Sequence, residues 1–322
     1  MTSEQQAVFR VGTRGSALAL WQTDNVIARL LEIAPGATVN RVVLSTLGDR
    51  VSDRPLPRIG DKGLFTRDLE DALRRGTIDL AVHSLKDVPT AEPDGLQIGA
   101  VLRREDPRDV VVSPRGFTMR TLPQGAIVGT SSLRRRSQLL SLRPDLRVRD
   151  IRGNVPTRLA RLERGEYDAA VMAHAGLLRL DLTHQVTEVL DVDQMLPAVG
   201  QGALAVQCRR LDRAVAQVLA FLDDGPTRVA TAAERALLAA LEGGCHAPVA
   251  AYATLEGPVL RLRALVASVD GTEVLRDELS GESLDAEAAT ALGRRLAERL
   301  VASGASRVIA RARIESVSRD LA

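Results

Sequence analysis

The chain has 322 residues, 45% apolar and 26% charged, which is length for two or three domains with cores of their own and the composition of a globular protein. Its net charge of +2 hides an uneven spread, because Arg103 to Arg164 carries fifteen arginines against six acidic residues. That middle stretch suits a polyanion. With one Trp, two Tyr and four Phe there are few rings for bases to stack on, so a small anion fits better than nucleic acid. No apolar run reaches the roughly 20 residues of a membrane span, and MTSEQQAVFR lacks the basic-then-apolar order of a secretory signal. A cytoplasmic protein with no membrane partner is therefore expected. Cys208 and Cys245 are too few for a disulfide framework and wrongly spaced for structural zinc, and the four histidines show no metal-ligand spacing.

Val8 to Gly12 reads as a strand, Ser16 to Ile33 as a helix with Leu20, Ile27, Leu30 and Leu31 on one face, and Val39 to Thr46 as a second strand. Leu47 to Lys62, "LGDRVSDRPLPRIGDK", is about as long as structureless loops become. It is a candidate active-site lid, and its Pro, Gly and Asp content fits an ordinary surface loop equally well. A helix over Leu64 to Arg75 leads to the strand Ile78 to Val82, and Leu96 to Leu102 is strand-like again, the alternation of a parallel α/β sheet. After "RREDPRD" the alternation restarts with strands near Val110 to Val112, Ala126 to Gly129, Arg147 to Ile151 and Asp168 to Ala173. Helices are expected over Ser132 to Leu142, Val155 to Arg164 and Ala175 to Leu180, giving a second α/β domain. From Thr227 a helix to Leu241, strands Val249 to Leu255, Val259 to Ser268 and Glu273 to Leu279, and a helix Asp285 to Ala302 indicate a smaller α+β domain with a largely antiparallel sheet.

Three strand-to-helix turns carry arginine beside hydroxyl or amide groups. In "IVGTSSLRRRSQLL" Thr130, Ser131 and Ser132 precede a helix whose first turns hold Arg134, Arg135 and Arg136, and free N–H groups at a helix start bind anions. Positive charge there opposes the helix dipole, and three successive residues cannot all face one ligand. Arg152 and Arg158 in "IRGNVPTRL" and Arg14 in "VGTRGSALA" repeat the arrangement, which points to several carboxylates in one cleft beyond the strand ends. In "LAVHSLKDVPT" Lys86 is one of only two lysines, the other being Lys62, and Asp87 reads as the lone acid beside many cations. "GQGALA" matches a dinucleotide fingerprint, but Pro197 interrupts the required strand and "VQCRR" stands where a helix should start, so no nucleotide role is assigned. Cys245, after two glycines in "EGGCHAPV", suits an exposed nucleophile or attachment point, whereas Cys208 reads as buried and inert.

Together, "GTRGSALALWQT", "KGLFTRDLEDAL", "DLAVHSLKDVPT", "REDPRD", "VGTSSLRRRSQL", "IRGNVPTRL", "PAVGQGALAVQCR" and "EGGCHAPV" resemble, nearly end to end and in order, the porphobilinogen deaminase family. The resemblance implies two similar doubly wound α/β domains around a cleft, periplasmic-binding-protein-like, plus a smaller α+β domain. By that analogy residues 1–102 and 203–222 form domain 1, 103–202 domain 2 and 223–322 domain 3, the chain crossing back near Gly200. It implies a transferase of tetrapyrrole synthesis that condenses four porphobilinogen molecules into hydroxymethylbilane on a dipyrromethane cofactor, joined by a thioether to Cys245.

By the same resemblance Asp87 is the catalytic carboxylate. Lys86, Ser84, Asp49, Thr130, Ser132, Arg134, Arg135 and Arg158 occupy cofactor-binding positions, and Arg14, Ser16, Arg152, Arg179, Lys62 and Phe65 substrate-binding ones. The acetate and propionate on every pyrrole account for so many cations. A monomer that takes porphobilinogen and no nucleic acid is expected. His174 stands where a small or aliphatic residue is usual, and Arg58 where Lys is common. The alternatives are a two-lobed binding protein for a small polycarboxylate and, third, a nucleic-acid binder.

Overall fold

The computed structural model describes residues 8–45, 66–241, 247–282 and 285–319. Strand β1 (Val8–Arg14) passes through the Ser16 N-cap, whose hydroxyl accepts from the Ala19 amide, into helix α1 (Ala17–Ile33). The buried stripe of α1 is Gln22, Thr23, Val26 and Leu30. Leu31, expected on that face, is 39% exposed: the stripe includes two polar residues, so apolar spacing alone sets it one position off.

Next come β2 (Thr38–Leu44), α2 (Arg67–Arg74), β3 (Leu80–Ser84) and β4 (Leu96–Val101). β3 starts two residues later than its apolar run, and Asp79 just before it is bonded to Arg10 of β1, its amide donating to Arg10 O at 2.8 Å and its carboxylate accepting from the Arg10 amide at 3.0 Å. The second half holds β5 (Asp109–Val112), β6 (Ile127–Gly129), α3 (Leu133–Leu142), β7 (Arg147–Arg149), α4 (Val155–Glu163), β8 (Ala169–Ala173), α5 (His174–Arg179) and β9 (Glu188–Val189).

The two sheets share one plan. The first has the order β2-β1-β3-β10-β4, with β10 (Leu204–Arg209) antiparallel to both neighbours, and the second has β7-β6-β8-β5-β9, with β5 antiparallel to both of its own. The other described strand pairs in these two sheets are parallel. The alternation read from the sequence as that of a parallel sheet does not reveal these antiparallel strands, because a strand buried on both faces is apolar whichever way it runs. β5 and β10 are the strands reached by the two crossings between halves. Alternate residues of β3 serve different cores: Leu80 and Val82 pack with Val26 and Leu30 of α1, Ala81 with Leu69 and Leu73 of α2.

The crossing segments run side by side, with Leu102 N–H donating to Leu204 O at 3.0 Å and Glu105 N–H to Gly202 O at 3.2 Å. Gly200 and Gly202 have φ of 70° and 91°, and a Cβ at Gly202 would collide with the Glu105 carbonyl oxygen. Both glycines thus have a steric cause rather than a pyrophosphate, Gly202 through tight contact between the crossings and Gly200 through contact with the Leu85 side chain.

After α6 (Arg213–Ala220) and α7 (Gly225–Ala240), strands β11 (Val249–Glu256), β12 (Val259–Ala267) and β13 (Val274–Glu282) form an antiparallel meander. With α7 and α8 (Ala286–Ala302) it encloses a core around Leu237, Leu262 and Leu296. The C-terminal α9 (Ala305–Arg319) had no counterpart in the sequence reading. Glu234 of α7, fully buried, ties this unit to the crossings: its carboxylate accepts from Arg104 Nη1 at 2.5 Å, the Gly200 amide at 2.7 Å and the Ala253 amide at 2.9 Å.

Gly202→Ala should lower stability by about 2 kcal/mol or more, combining the left-handed φ with the backbone collision. Gly257→Ala, at φ 57° with open space around it, should cost only about 1 kcal/mol. Urea unfolding of the two variants measures the difference.

Candidate active site

The carboxyl ends of β1 and β3 in one sheet and of β6 and β7 in the other lead into the turns and first helical turns that carry Arg14, Ser16, Ser84, Lys86, Asp87, Thr130, Ser132, Arg134, Arg135, Arg152 and Arg158, while Arg179 ends α5. This is where α/β sheets hold ligands. β3 ends in a single 3-10 turn, Leu85–Asp87, fixed by burial of Leu85 and by its amide donating to Ala203 O at 3.0 Å. Asp87 is half-buried, and among the described residues no hydrogen bond or ion pair engages its carboxylate. It lines a pocket with Arg14, Ser16, Gln22, His83 and Ser84. Ser84 Oγ accepts from Gln22 Nε2 at 2.9 Å, and Ser16 caps α1. His83 is buried against Gln207, and burial pushes it down to about 4, so it is neutral at physiological pH.

Lys86 points its ammonium to Gln201 Oε1 at 3.3 Å. Burial and the nearby Arg135 push it down to about 8, with Asp87 and Asp109 offsetting only part of that. Burial and Arg135 likewise bring Arg158 down to about 10 against the opposing pull of Asp87. Two cations from different halves of the chain therefore feel the same carboxylate. Arg158 also donates from Nε to Gly153 O at 2.8 Å.

Asp109, at the start of β5, resolves the conflict of arginines at a helix N-terminus. It is fully buried and accepts from Arg134 Nη1 at 2.7 Å, Arg135 Nη2 at 2.8 Å and Gln201 Nε2 at 2.9 Å. Burial alone would raise its carboxyl, but Arg134 and Arg135 outweigh that and hold it well below the usual carboxylate range. Asp87 is thus not the lone acid of the cluster. As side-chain directions on a helix demand, two of the three arginines turn to one partner, while Arg136 donates to Val148 O at 2.7 Å. Thr130 Oγ1 accepts from the Ser132 amide at 3.2 Å, and Ser132 caps α3 by accepting from the Arg135 amide.

Arg179, on α5, reaches the crossings by donating to Gly202 O at 2.6 Å and stacks over Trp21 of α1 at 5.9 Å. Burial brings it down to about 10. Arg152 is half-buried with no hydrogen bond or ion pair among the described residues. His174 meets Asp106 at 2.9 Å, a contact a small residue would not make, and it sits beside the Asp106–Arg108 pair instead of the Asp87 pocket. Cys208 is buried in β10, and burial pushes its thiol up, as suits an inert residue. Asp49, Lys62, Phe65, Cys245, Arg58 and the whole candidate lid lie outside the described residues. Asp109 and Gln201 were missed by the sequence reading. The available signal for Asp109 was an acid opening an otherwise apolar strand, DVVV, within an arginine-rich stretch.

Residues 9–217 match the family model described as porphobilinogen deaminase, dipyromethane cofactor binding domain, and residues 229–302 match that described as porphobilinogen deaminase, C-terminal domain. The chain belongs to the porphobilinogen deaminase family. Family members of similar sequence include the porphobilinogen deaminase of Moorella thermoacetica, 53% identical over 308 residues that cover 96% of this chain and 97% of that one. That of Pelotomaculum thermopropionicum is 50% identical, covering 95% and 97%, and that of Trichlorobacter lovleyi 49%, covering 94% and 95%.

Asp109→Asn should destabilise the protein by about 3–5 kcal/mol at pH 7, since it leaves two buried guanidinium groups without their anion. The carboxyl is depressed in the folded state, so its contribution is complete above the unfolded value of ~4 and is lost as pH falls through the folded value. The stability gap between parent and variant should therefore narrow below pH ~4, measured by denaturant unfolding across pH.

Proposed function

We propose that this chain condenses four porphobilinogen molecules head to tail, releasing ammonia, into linear hydroxymethylbilane, with Asp87 as the catalytic carboxylate and Cys245 as the cofactor attachment point. Family membership supports the reaction, a step of tetrapyrrole biosynthesis, and the dipyrromethane cofactor. The alternative of a two-lobed binding protein without chemistry is not favoured. The observation that carries the assignment of roles is Asp87, an unpartnered carboxylate among the described residues, within the field of Lys86 and Arg158 from opposite halves.

The residues fit a cofactor and substrate that bring acetate and propionate groups. Lys86, Arg135 and Arg158 are partly desolvated cations whose charge is more comfortable beside a carboxylate. When bound, dipyrromethane supplies the primer on which the pyrrole chain grows. Asp87 accepts from pyrrole N–H groups, moves the proton that lets ammonia depart from porphobilinogen and offsets the positive charge left on the substrate. Lys86, Ser84, Thr130, Ser132, Arg134, Arg135, Arg158 and Asp49 serve the cofactor's side, Arg134 through Asp109. Arg14, Ser16, Arg152, Arg179, Lys62 and Phe65 serve the incoming substrate.

The same reading divides the chain into residues 1–102 with 203–222, 103–202 and 223–322, which matches the return of β10 to the first sheet. A cytoplasmic monomer that takes porphobilinogen and no nucleic acid completes it.

Intact mass of the purified protein should exceed the polypeptide by two pyrrole units. Cys245→Ser should abolish the addition and the activity, while Cys208→Ser should keep both. An adduct mapped to Cys208 would overturn the attachment.

Asp87→Asn keeps shape and some hydrogen bonding but loses the proton-transferring carboxyl, so single-turnover condensation should slow by ~100- to 10,000-fold with cofactor still loaded. Near-parental rates would remove Asp87 from the chemistry.

A further inference from the structure

Gln201 lies in the second crossing, 1% exposed, between the two positive-φ glycines. Its side chain is satisfied at both ends by groups from different parts of the chain. Oε1 accepts from Lys86 Nζ at 3.3 Å, while Nε2 donates to Pro107 O at 2.6 Å and Asp109 Oδ1 at 2.9 Å. The amide orientation is fixed by chemistry, because the flipped form would set NH2 against an ammonium and oxygen against a carbonyl and a carboxylate. Its backbone oxygen accepts from Arg104 Nε at 2.8 Å, which joins it to Glu234 of α7. Lys86 on one half, Asp109 with Arg134 and Arg135 on the other, and the C-terminal unit thus meet at one residue.

We infer that Gln201 is a positioning residue: its carbonyl fixes the Lys86 ammonium beside Asp87, and its amide registers that ammonium to the Asp109–arginine cluster across the crossings. The inference deepens the reading of Lys86 as a carboxylate-binding residue and rests on it. The charged groups facing Lys86 are Asp87 on its own turn, Asp109 of β5, and Arg134 and Arg135 of α3. Two cations against two anions leave the ammonium dependent on a neutral acceptor. Glutamate at 201 would keep an acceptor for Lys86 but confront Asp109, and methionine would keep the volume and lose both functions.

The chain has only two lysines, Lys62 and Lys86, so 13Cε-lysine labelling of the full-length holoenzyme reports on Lys86 directly, with Lys62→Arg giving the assignment. In Gln201→Met the Lys86 titration midpoint should fall by roughly half to one pH unit, and in Gln201→Glu it should rise by a similar amount. The fraction of chain loaded with dipyrromethane, read by intact mass, should fall in Gln201→Met. If Gln201 only ties the crossings together, both variants lose thermal stability while the Lys86 midpoint stays at its parental value, and the inference is wrong. Should Gln201→Glu fail to fold, the Gln201→Met midpoint alone decides. Lys86→Gln separates the two layers. Unchanged dipyrromethane loading in that variant overturns the carboxylate-binding role of Lys86, whereas reduced loading with an unmoved midpoint in Gln201→Met overturns only the role of Gln201.

Discussion

The buried carboxylate of Asp109 is the anion on which the cationic cleft depends. Without it, Arg134 and Arg135 would face each other and Lys86 in a poorly solvated space, where like charges repel far more strongly than in water. With it, two guanidinium groups are held by a single acceptor and by the Leu196 and Val171 carbonyls. The arrangement turns a helix start that ought to reject positive charge into a rigid cationic wall. Such a wall is preorganised, so an anionic ligand does not have to order long side chains when it arrives.

The same network explains how halves of similar plan act as one site. Each sheet receives its antiparallel strand through a crossing, and the crossings touch over a short span around Gly202 and Glu105. Polar side chains converge on that span from all sides: Arg104 and Glu234 from the first crossing and α7, Arg179 from α5, Gln201 from the second crossing. The two adjacent segments are the covalent connections between the halves, and these bonds tie them to each other and to the helices around them. α7 also carries Glu234, so the C-terminal unit is tied to the crossings by a buried ion pair.

Much of the candidate site was legible because its chemistry is written in short contiguous stretches. Ser84, Lys86 and Asp87 follow a buried strand, and Thr130 to Arg135 follow another, so the strand-then-helix pattern put them at carboxyl ends before any contact was known. Which arginines are spoken for was not legible. Arg134 and Arg135 pair with an acid some 25 residues away in the chain, and Gln201 meets Lys86 across a separation of 115 residues. No local period encodes such a pairing. The exposed face of α1 was misjudged for a related reason, since the sheet selects Thr23 and Gln22 for burial over Leu31 by position and not by hydrophobicity.

The sequence by itself determined the element types, the repeated α/β rhythm, the change to an antiparallel C-terminal sheet, and through eight motifs the family and its reaction. These follow from local periodicity, turn chemistry and contiguous motif residues, all of which survive in one dimension. Tertiary structure decided strand direction at β5 and β10, the steric need for glycine at 202, and the division of cations between structural partners and the cleft. Each of these depends on which buried groups lie within a few ångströms after the chain has crossed twice between sheets, and hydrogen bonding and desolvation act on that distance, not on separation along the chain.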